Sequence, residues 1–294
     1  MNTNEGSLLR GTICDNQFRL FAADTTAIVQ YVRDTHDLYP LPSILMGRII
    51  TAAALMSGEL KIPHSEITIR IDAEGALRGG IAIATIEGHL RGYAFEPKLW
   101  LEDSRDNLEV GKNLGKGTLT VIKQSGLKSP YQGSIALVDG EIATDLAHYY
   151  LQSEQIHSVV NLGVMIDPEA RIRAAGGIMI QELPNADIRI SKKIEANLAK
   201  TPNVSDLMDM GLSITDILHK FILKDVDWEI TKSTPLSFAC NCSKERFAKA
   251  LLLLGSQELS QMQDGIEPIC HYCNKSYPFS KEEISELIRS LDKK

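Results

Sequence analysis

The chain has 294 residues, 44% of them apolar, 23% charged and only 6% aromatic, which excludes a disordered or low-complexity chain and, at roughly 150 residues per domain, suggests about two domains with mostly aliphatic cores. Lys and Arg number 31 against 38 Asp and Glu, a formal net charge of −7, so neither a phosphate backbone nor an anionic membrane is expected as the main partner. Uninterrupted apolar runs such as Leu251–Leu254 fall far short of the about 20 residues that span a bilayer, and the first residues lack a basic stretch followed by an apolar one, so the expectation is a soluble cytoplasmic protein.

Along residues 1–184 strands and helices are mixed. Apolar residues at Leu41, Ile44, Leu45, Ile49, Ala52, Ala53 and Met56 recur at three and four, the spacing of a helix. Ile67, Ile69 and Ile71 alternate with polar residues, the period of a half-buried strand. The same alternation recurs at Ile81/Ile83, Leu119/Val121, Ile135/Leu137 and Val160/Leu162/Val164/Ile166. A second helix is predicted over Glu141–Gln155 with Ile142, Leu146, Tyr149 and Tyr150 inward. Several strands lie close in sequence, so the expected class is α+β: a core rich in antiparallel sheet with packed helices.

Residues 185–230 change texture to short amphipathic helices. Ile188, Ile190, Ile194 and Leu198 share one face, Thr201-Pro202 breaks the pattern, and Ser205 is a candidate cap for a helix through Leu207 that stops at Gly211. Ser213 with Asp216 makes a capping box before Ile217, Leu218, Phe221 and Ile222. The segment reads as a helical linker that must lay its apolar side on something.

Residues 231–294 form the third unit. Ser243 caps a helix bearing Phe247, Ala250, Leu251 and Leu254, with Gly255 as its stop; a short helix over Ser256–Met262 follows. Ser280 with Glu283 opens another before Ile284, Leu287, Ile288 and Leu291. So small a unit has little core of its own and needs a staple. Four of the five cysteines of the chain, Cys240, Cys242, Cys270 and Cys273, lie here as Cys-x-Cys and Cys-x-x-Cys. Without an export signal a metal site is the better reading than two disulfides. Four thiolates can close a tetrahedral Zn²⁺ site with no position left for water. Such a site is also an oxidation target, because thiolates rather than thiols react with peroxide. Structural zinc contributes an apparent 10–16 kcal/mol in small fingers, about as much as the roughly 5–15 kcal/mol that stabilises a whole domain. Ejecting it would unfold the tail and uncover whatever part of residues 185–230 leans on it.

The tail sequences Cys240-Asn-Cys242-Ser-Lys-Glu-Arg-Phe247 and Ile269-Cys270-His-Tyr-Cys273-Asn-Lys-Ser-Tyr277 resemble the redox-switch domain of the bacterial 33 kDa heat-shock chaperonin family. The core matches the same family in order, through Phe21–Thr26, Met46-Gly-Arg48, Arg91-Gly-Tyr93, Gly117–Lys123, Tyr149–Gln155 and Ala174–Gly177 with Gln181 and Pro184. The resemblance implies an ATP-independent holdase, inactive when reduced and zinc-bound and active when oxidised. It implies that Cys240, Cys242, Cys270 and Cys273 bind one zinc and on oxidation pair as Cys240–Cys242 and Cys270–Cys273. It further implies that the linker unfolds to bind aggregation-prone clients and that the activated protein dimerises. Ile194, Leu198, Leu207, Ile217, Leu218 and Phe221 are the candidate client-binding residues, and no catalytic residue is expected.

Other signals weigh less. Gly111–Gly117 fails the Walker A template and reads as a glycine-rich strand start or hairpin. His271 could replace a thiolate, though four cysteines suffice. Glu154 and His157 have a metal-like spacing without a second such pair and read as a surface helix end. Cys14 reads as a small buried residue in the first strand. A thiol–disulfide oxidoreductase using Cys270 and Cys273 is the alternative function. A nucleic-acid zinc ribbon is a third, disfavoured because residues 231–294 carry nine basic against eight acidic side chains.

Overall fold

The computed structural model describes residues 5–101, 109–126 and 129–291. The chain opens with the hairpin β1 (Glu5–Ile13) and β2 (Phe18–Asp24), followed by helices α1 (Thr26–His36) and α2 (Pro40–Ser57). Strands β3 (Glu66–Ala73), β4 (Gly79–Thr85) and β5 (His89–Ala94) form a meander; α3 (Val110–Leu114) then precedes the hairpin β6 (Gly117–Gln124) and β7 (Tyr131–Ala136). Helix α4 (Ala143–Tyr149) runs into a π-helical turn, Tyr150–Glu154, before the hairpin β8 (Ser158–Ile166) and β9 (Ile172–Glu182). Next come α5 (Ile188–Lys200), α6 (Val204–Asp209) and α7 (Ile214–Ile217), the last prolonged by a π-helical turn, Leu218–Ile222, and then β10 (Trp228–Phe238). Helices α8 (Lys244–Leu252), α9 (Ser256–Ser260) and α10 (Lys281–Leu291) complete the described chain. Two compact units result, residues 1–239 and 240–294.

The strands of the first unit make one ten-stranded sheet in the order β7-β6-β3-β4-β5-β10-β1-β2-β9-β8. Its ladders are antiparallel except where Ser237 and Phe238 pair parallel with His89 and Leu90. The expected α+β class with an antiparallel-rich core is what the chain adopts.

Helix α2 is the spine of one face. Pro40 sits at its start, where a missing N–H costs nothing. Its sequence is apolar almost all round and it is buried almost all round, as such a helix must be. By length and composition it could cross a membrane, but 89% of that window is buried inside the protein. Gly47 allows the close approach to β8: a Cβ there would lie 2.6 Å from a Val164 methyl. Where two hydroxyls are trapped, Thr25 and Thr51 satisfy each other at 2.6 Å.

The opposite face of β1, β2 and β9 is covered by the helices of residues 188–222. Along β2, Phe21 and Ala23 join the core beneath α2, while Phe18, Leu20 and Ala22 join a second core with Ile178, Ile180, Ile194, Val204, Leu207, Ile217 and Leu218. That division is the two-residue period of a strand buried on both sides. Gly163 lets α6 lie directly on β8, since a Cβ would come within 2.7 Å of the Ser205 amide nitrogen.

Several expectations change. The boundary placed at residue 231 falls inside β10, which pairs with β1 from Trp228 to Ser237, so the tail unit begins at Cys240. Ser205 is not a cap but a buried residue within α6, whose N-cap is Asn203. Gly111–Gly117 holds the short helix α3 before entering β6. Cys14 lies in the turn after β1 at φ 48°, half-buried, its thiol 3.7 Å from the Asp227 carbonyl oxygen. Ala250 on α8 and Leu254, which lies beyond the end of that helix at Leu252, are exposed.

Glu154 is not at a surface. It pairs with Lys123 and accepts a hydrogen bond from the Tyr149 hydroxyl at 3.0 Å. Lys123 also reaches Glu59 at 3.2 Å, and Glu59 accepts from the Tyr150 hydroxyl and from Gln181 Nε2 at 2.7 Å. Burial and the two carboxylates push both tyrosine hydroxyls well above their ordinary pKa. The result is a largely dehydrated polar knot joining β6, β9, the end of α4 and the loop after α2.

Candidate metal centre

The tail unit encloses little. Leu251, Leu259, Phe279 and Ile284 are its buried apolar side chains, with Phe247, Tyr277, Leu287 and Ile288 packed against them. Two caps fix its helices as the sequence demands. Ser243 Oγ accepts from the Arg246 amide at 3.3 Å, and at α10 Ser280 Oγ accepts from the Glu283 amide at 3.3 Å while Glu283 accepts from the Ser280 amide at 2.8 Å. A Lys244–Glu283 ion pair at 2.6 Å ties α8 to α10.

The cysteines converge beside this small core. Ala239 N–H donates to the Leu90 carbonyl, the last backbone bond to the sheet, and Cys240 and Cys242 follow at once. Cys270 and Cys273 sit in a knuckle, where Asn274 N–H donates to the Cys270 carbonyl at 2.8 Å and Cys270 N–H to that of Lys275 at 2.9 Å. Asn274 takes the left-handed conformation at φ 58°, which asparagine tolerates. The four sulfurs all lie within 4.8 Å of one another, with Cys240–Cys270 at 3.7 Å and Cys242–Cys273 at 3.2 Å. Four thiolates at about 2.3 Å from a central ion have tetrahedral edges near 3.8 Å, so the donor set fits one metal ion without rearrangement of the chain.

The thiols are not alike. Burial pushes Cys240 well up and Cys273 up to about 11. Burial acts on Cys242 in the same sense, but hydrogen bonds from the Tyr277 hydroxyl and the neighbouring thiols outweigh it and hold that thiol down to about 7. Cys270 and Cys273 are only 6% and 9% exposed. An exchange enzyme needs an accessible attacking thiol, whereas both cysteines of Cys270-x-x-Cys273 are buried.

A family model described as Hsp33 protein matches residues 6–280. A 33 kDa chaperonin from Symbiobacterium thermophilum is 40% identical over 291 residues, covering 98% of each chain. One from Desulforamulus reducens is 37% identical over 291 residues with the same coverage. The chain belongs to the Hsp33 family. The crystal structure of the 33 kDa chaperonin (heat shock protein 33 homologue) of Thermotoga maritima superposes with a TM-score of 0.86 at 29% identity, over 100% of both chains. Hsp33 membership gives a chaperone function, and with it the binding of unfolded client proteins; the relatives are named as chaperonins rather than as enzymes.

The six candidate client-binding residues all lie in the layer on the second sheet face. Ile194, Leu207, Ile217 and Leu218 are at most 4% exposed, and Leu198 and Phe221 are half-buried against the same cluster. The four buried ones present almost no surface while the layer is docked. Sequence reading gave no role to Tyr277, whose position four residues after Cys273 was the available signal.

Proposed function

We propose that the chain is a redox-regulated, ATP-independent holdase of the cytoplasm whose four tail cysteines hold one Zn²⁺ in the reduced, inactive state. The convergence of Cys240, Cys242, Cys270 and Cys273 within 4.8 Å beside a core of four buried apolar residues is the observation that carries the reading. Bound there, zinc supplies a closed tetrahedral brace that keeps the thiols deprotonated. Oxidation pairs Cys240 with Cys242 and Cys270 with Cys273, and the ligand set is lost. The tail then lacks the main contribution to its stability and unfolds.

Residues 188–222 supply the client surface once they leave the sheet. Their apolar face is continuous, and their burial explains why the resting protein would be inactive. The exposed faces favour dimerisation of the oxidised form. Neither a nucleotide, a nucleic acid nor a membrane takes part. The test is the reduced full-length chain with stoichiometric zinc, treated with hydrogen peroxide at mildly elevated temperature. Zinc release and suppression of client aggregation should rise together, without ATP. Equal activity in reduced and oxidised samples would refute the switch.

A further inference from the structure

Tyr277 leaves the knuckle beside the metal site. Its N–H donates to the Pro268 carbonyl at 3.0 Å, and its ring stacks on Phe247 of α8 with centroids 5.0 Å apart and planes 30° apart. That packing aims the hydroxyl at one cysteine. Tyr277 Oη lies 3.0 Å from Cys242 Sγ and 3.2 Å from the Cys242 carbonyl oxygen, two acceptors within reach of its single proton, the sulfur the nearer. A metal-bound thiolate has no proton to give, so with the site loaded the phenol is the donor to sulfur.

We propose that Tyr277 is a positioning residue of the switch, whose hydroxyl hydrogen-bonds the Cys242 thiolate and raises the oxidant dose at which the site opens. This rests on the zinc–thiolate reading above.

The chemistry is that of an outer donor to a metal ligand. A hydrogen bond withdraws charge from sulfur, which fixes the ligand's orientation and lowers its nucleophilicity toward peroxide. In the first oxidation step a thiolate electron pair attacks peroxide. An S–O bond forms, the O–O bond breaks, and hydroxide leaves and is neutralised by a proton from the buffer. In the second, the partner thiolate attacks that sulfur. An S–S bond forms, the S–O bond breaks and a second hydroxide leaves; two electrons pass from the sulfur pair to one peroxide. The phenol opposes the first step at Cys242 by competing for the electron pair that must be donated.

Tyr277→Phe keeps the ring on Phe247 and deletes the donor. Full-length reduced protein loaded with Zn²⁺ is assayed by a colorimetric chelator during peroxide treatment, and Co²⁺-loaded protein by its sulfur-to-metal charge-transfer band. The variant should bind metal about tenfold more weakly, release zinc several-fold faster and show the band at longer wavelength, because an unbonded thiolate holds its electrons less tightly. Ile284→Val, which loosens the tail core but keeps both the hydroxyl and its stack on Phe247, separates bonding from packing and should leave the band in place. An unmoved band and an unchanged release rate in Tyr277→Phe would overturn the proposal. So would an equal acceleration and band shift in Ile284→Val. Wild-type protein that takes up no metal would remove the proposed function itself, and this inference with it.

Discussion

Leu218→Ala is the sharpest perturbation of the linker layer. Leu218 is fully buried between the π-helical turn that prolongs α7 and the face of β1, β2 and β9. Truncating such a leucine costs about 2–5 kcal/mol, the transfer of the lost atoms plus the cavity they leave. The loss falls on a layer built from four-to-thirteen-residue helices, which opens more cheaply than the sheet beneath it. At about 3 kcal/mol the open population rises roughly a hundredfold, since each factor of ten is about 1.4 kcal/mol. Hydrogen exchange of residues 188–222 in the reduced, zinc-loaded chain should therefore quicken by about that factor, and the variant should suppress client aggregation without oxidant. Ile188→Ala is the control: that side chain is 62% exposed and should change neither. Unchanged exchange in Leu218→Ala would refute the docking energetics. Faster exchange with no gain in client binding would refute the assignment of this face to clients.

Cys270→Ser should weaken zinc binding by orders of magnitude and open the tail to protease at residues 240–291, read by mass spectrometry of the fragments; unchanged digestion would contradict the metal's structural role. Lys123→Ala should lower the stability of the first unit by about 3–5 kcal/mol in urea, because Glu59 and Glu154 lose their shared cation in a dehydrated setting. Burial works against the Lys123 charge, but those two carboxylates outweigh it and hold its pKa above 10.5. Its contribution is therefore complete below about pH 10.5 and is lost as pH rises through the folded-state value, a fall that alkaline titration of stability should show in wild type and not in the variant. Ser213→Ala removes a cap that accepts from the Asp216 amide at 3.1 Å and should loosen α7 by about 1 kcal/mol, measured by exchange of its first turn.

Legibility followed periodicity. Helix α2 and strand β3 carry clean spacings, so Leu41–Met56 and Ile67–Ile71 could be assigned from the chain alone. Strand β2 could not: Leu20-Phe21-Ala22-Ala23 is buried on both faces and shows no alternation. Strand β10 hides for two reasons. Its partners in β1 lie more than two hundred residues away, and Pro235 argues against a strand; the proline is tolerated because pairing with β5 begins only at Ser237. The cysteine set was legible because ligand spacing is itself a sequence pattern, and the capping boxes at Ser213 and Ser280 because they are local. The knot of Glu59, Lys123, Glu154 and Gln181 was not, since its members come from four distant segments. Nor was the reach of Tyr277 to Cys242, which depends on the stacking against Phe247.

Zinc release and client protection recorded on one sample during oxidation test the central claim most directly. The account predicts one zinc per reduced chain, and release that coincides with the onset of reduced light scattering from an unfolding client. Protection that precedes release, or complete release that leaves the tail protease-resistant and the client unprotected, would contradict it.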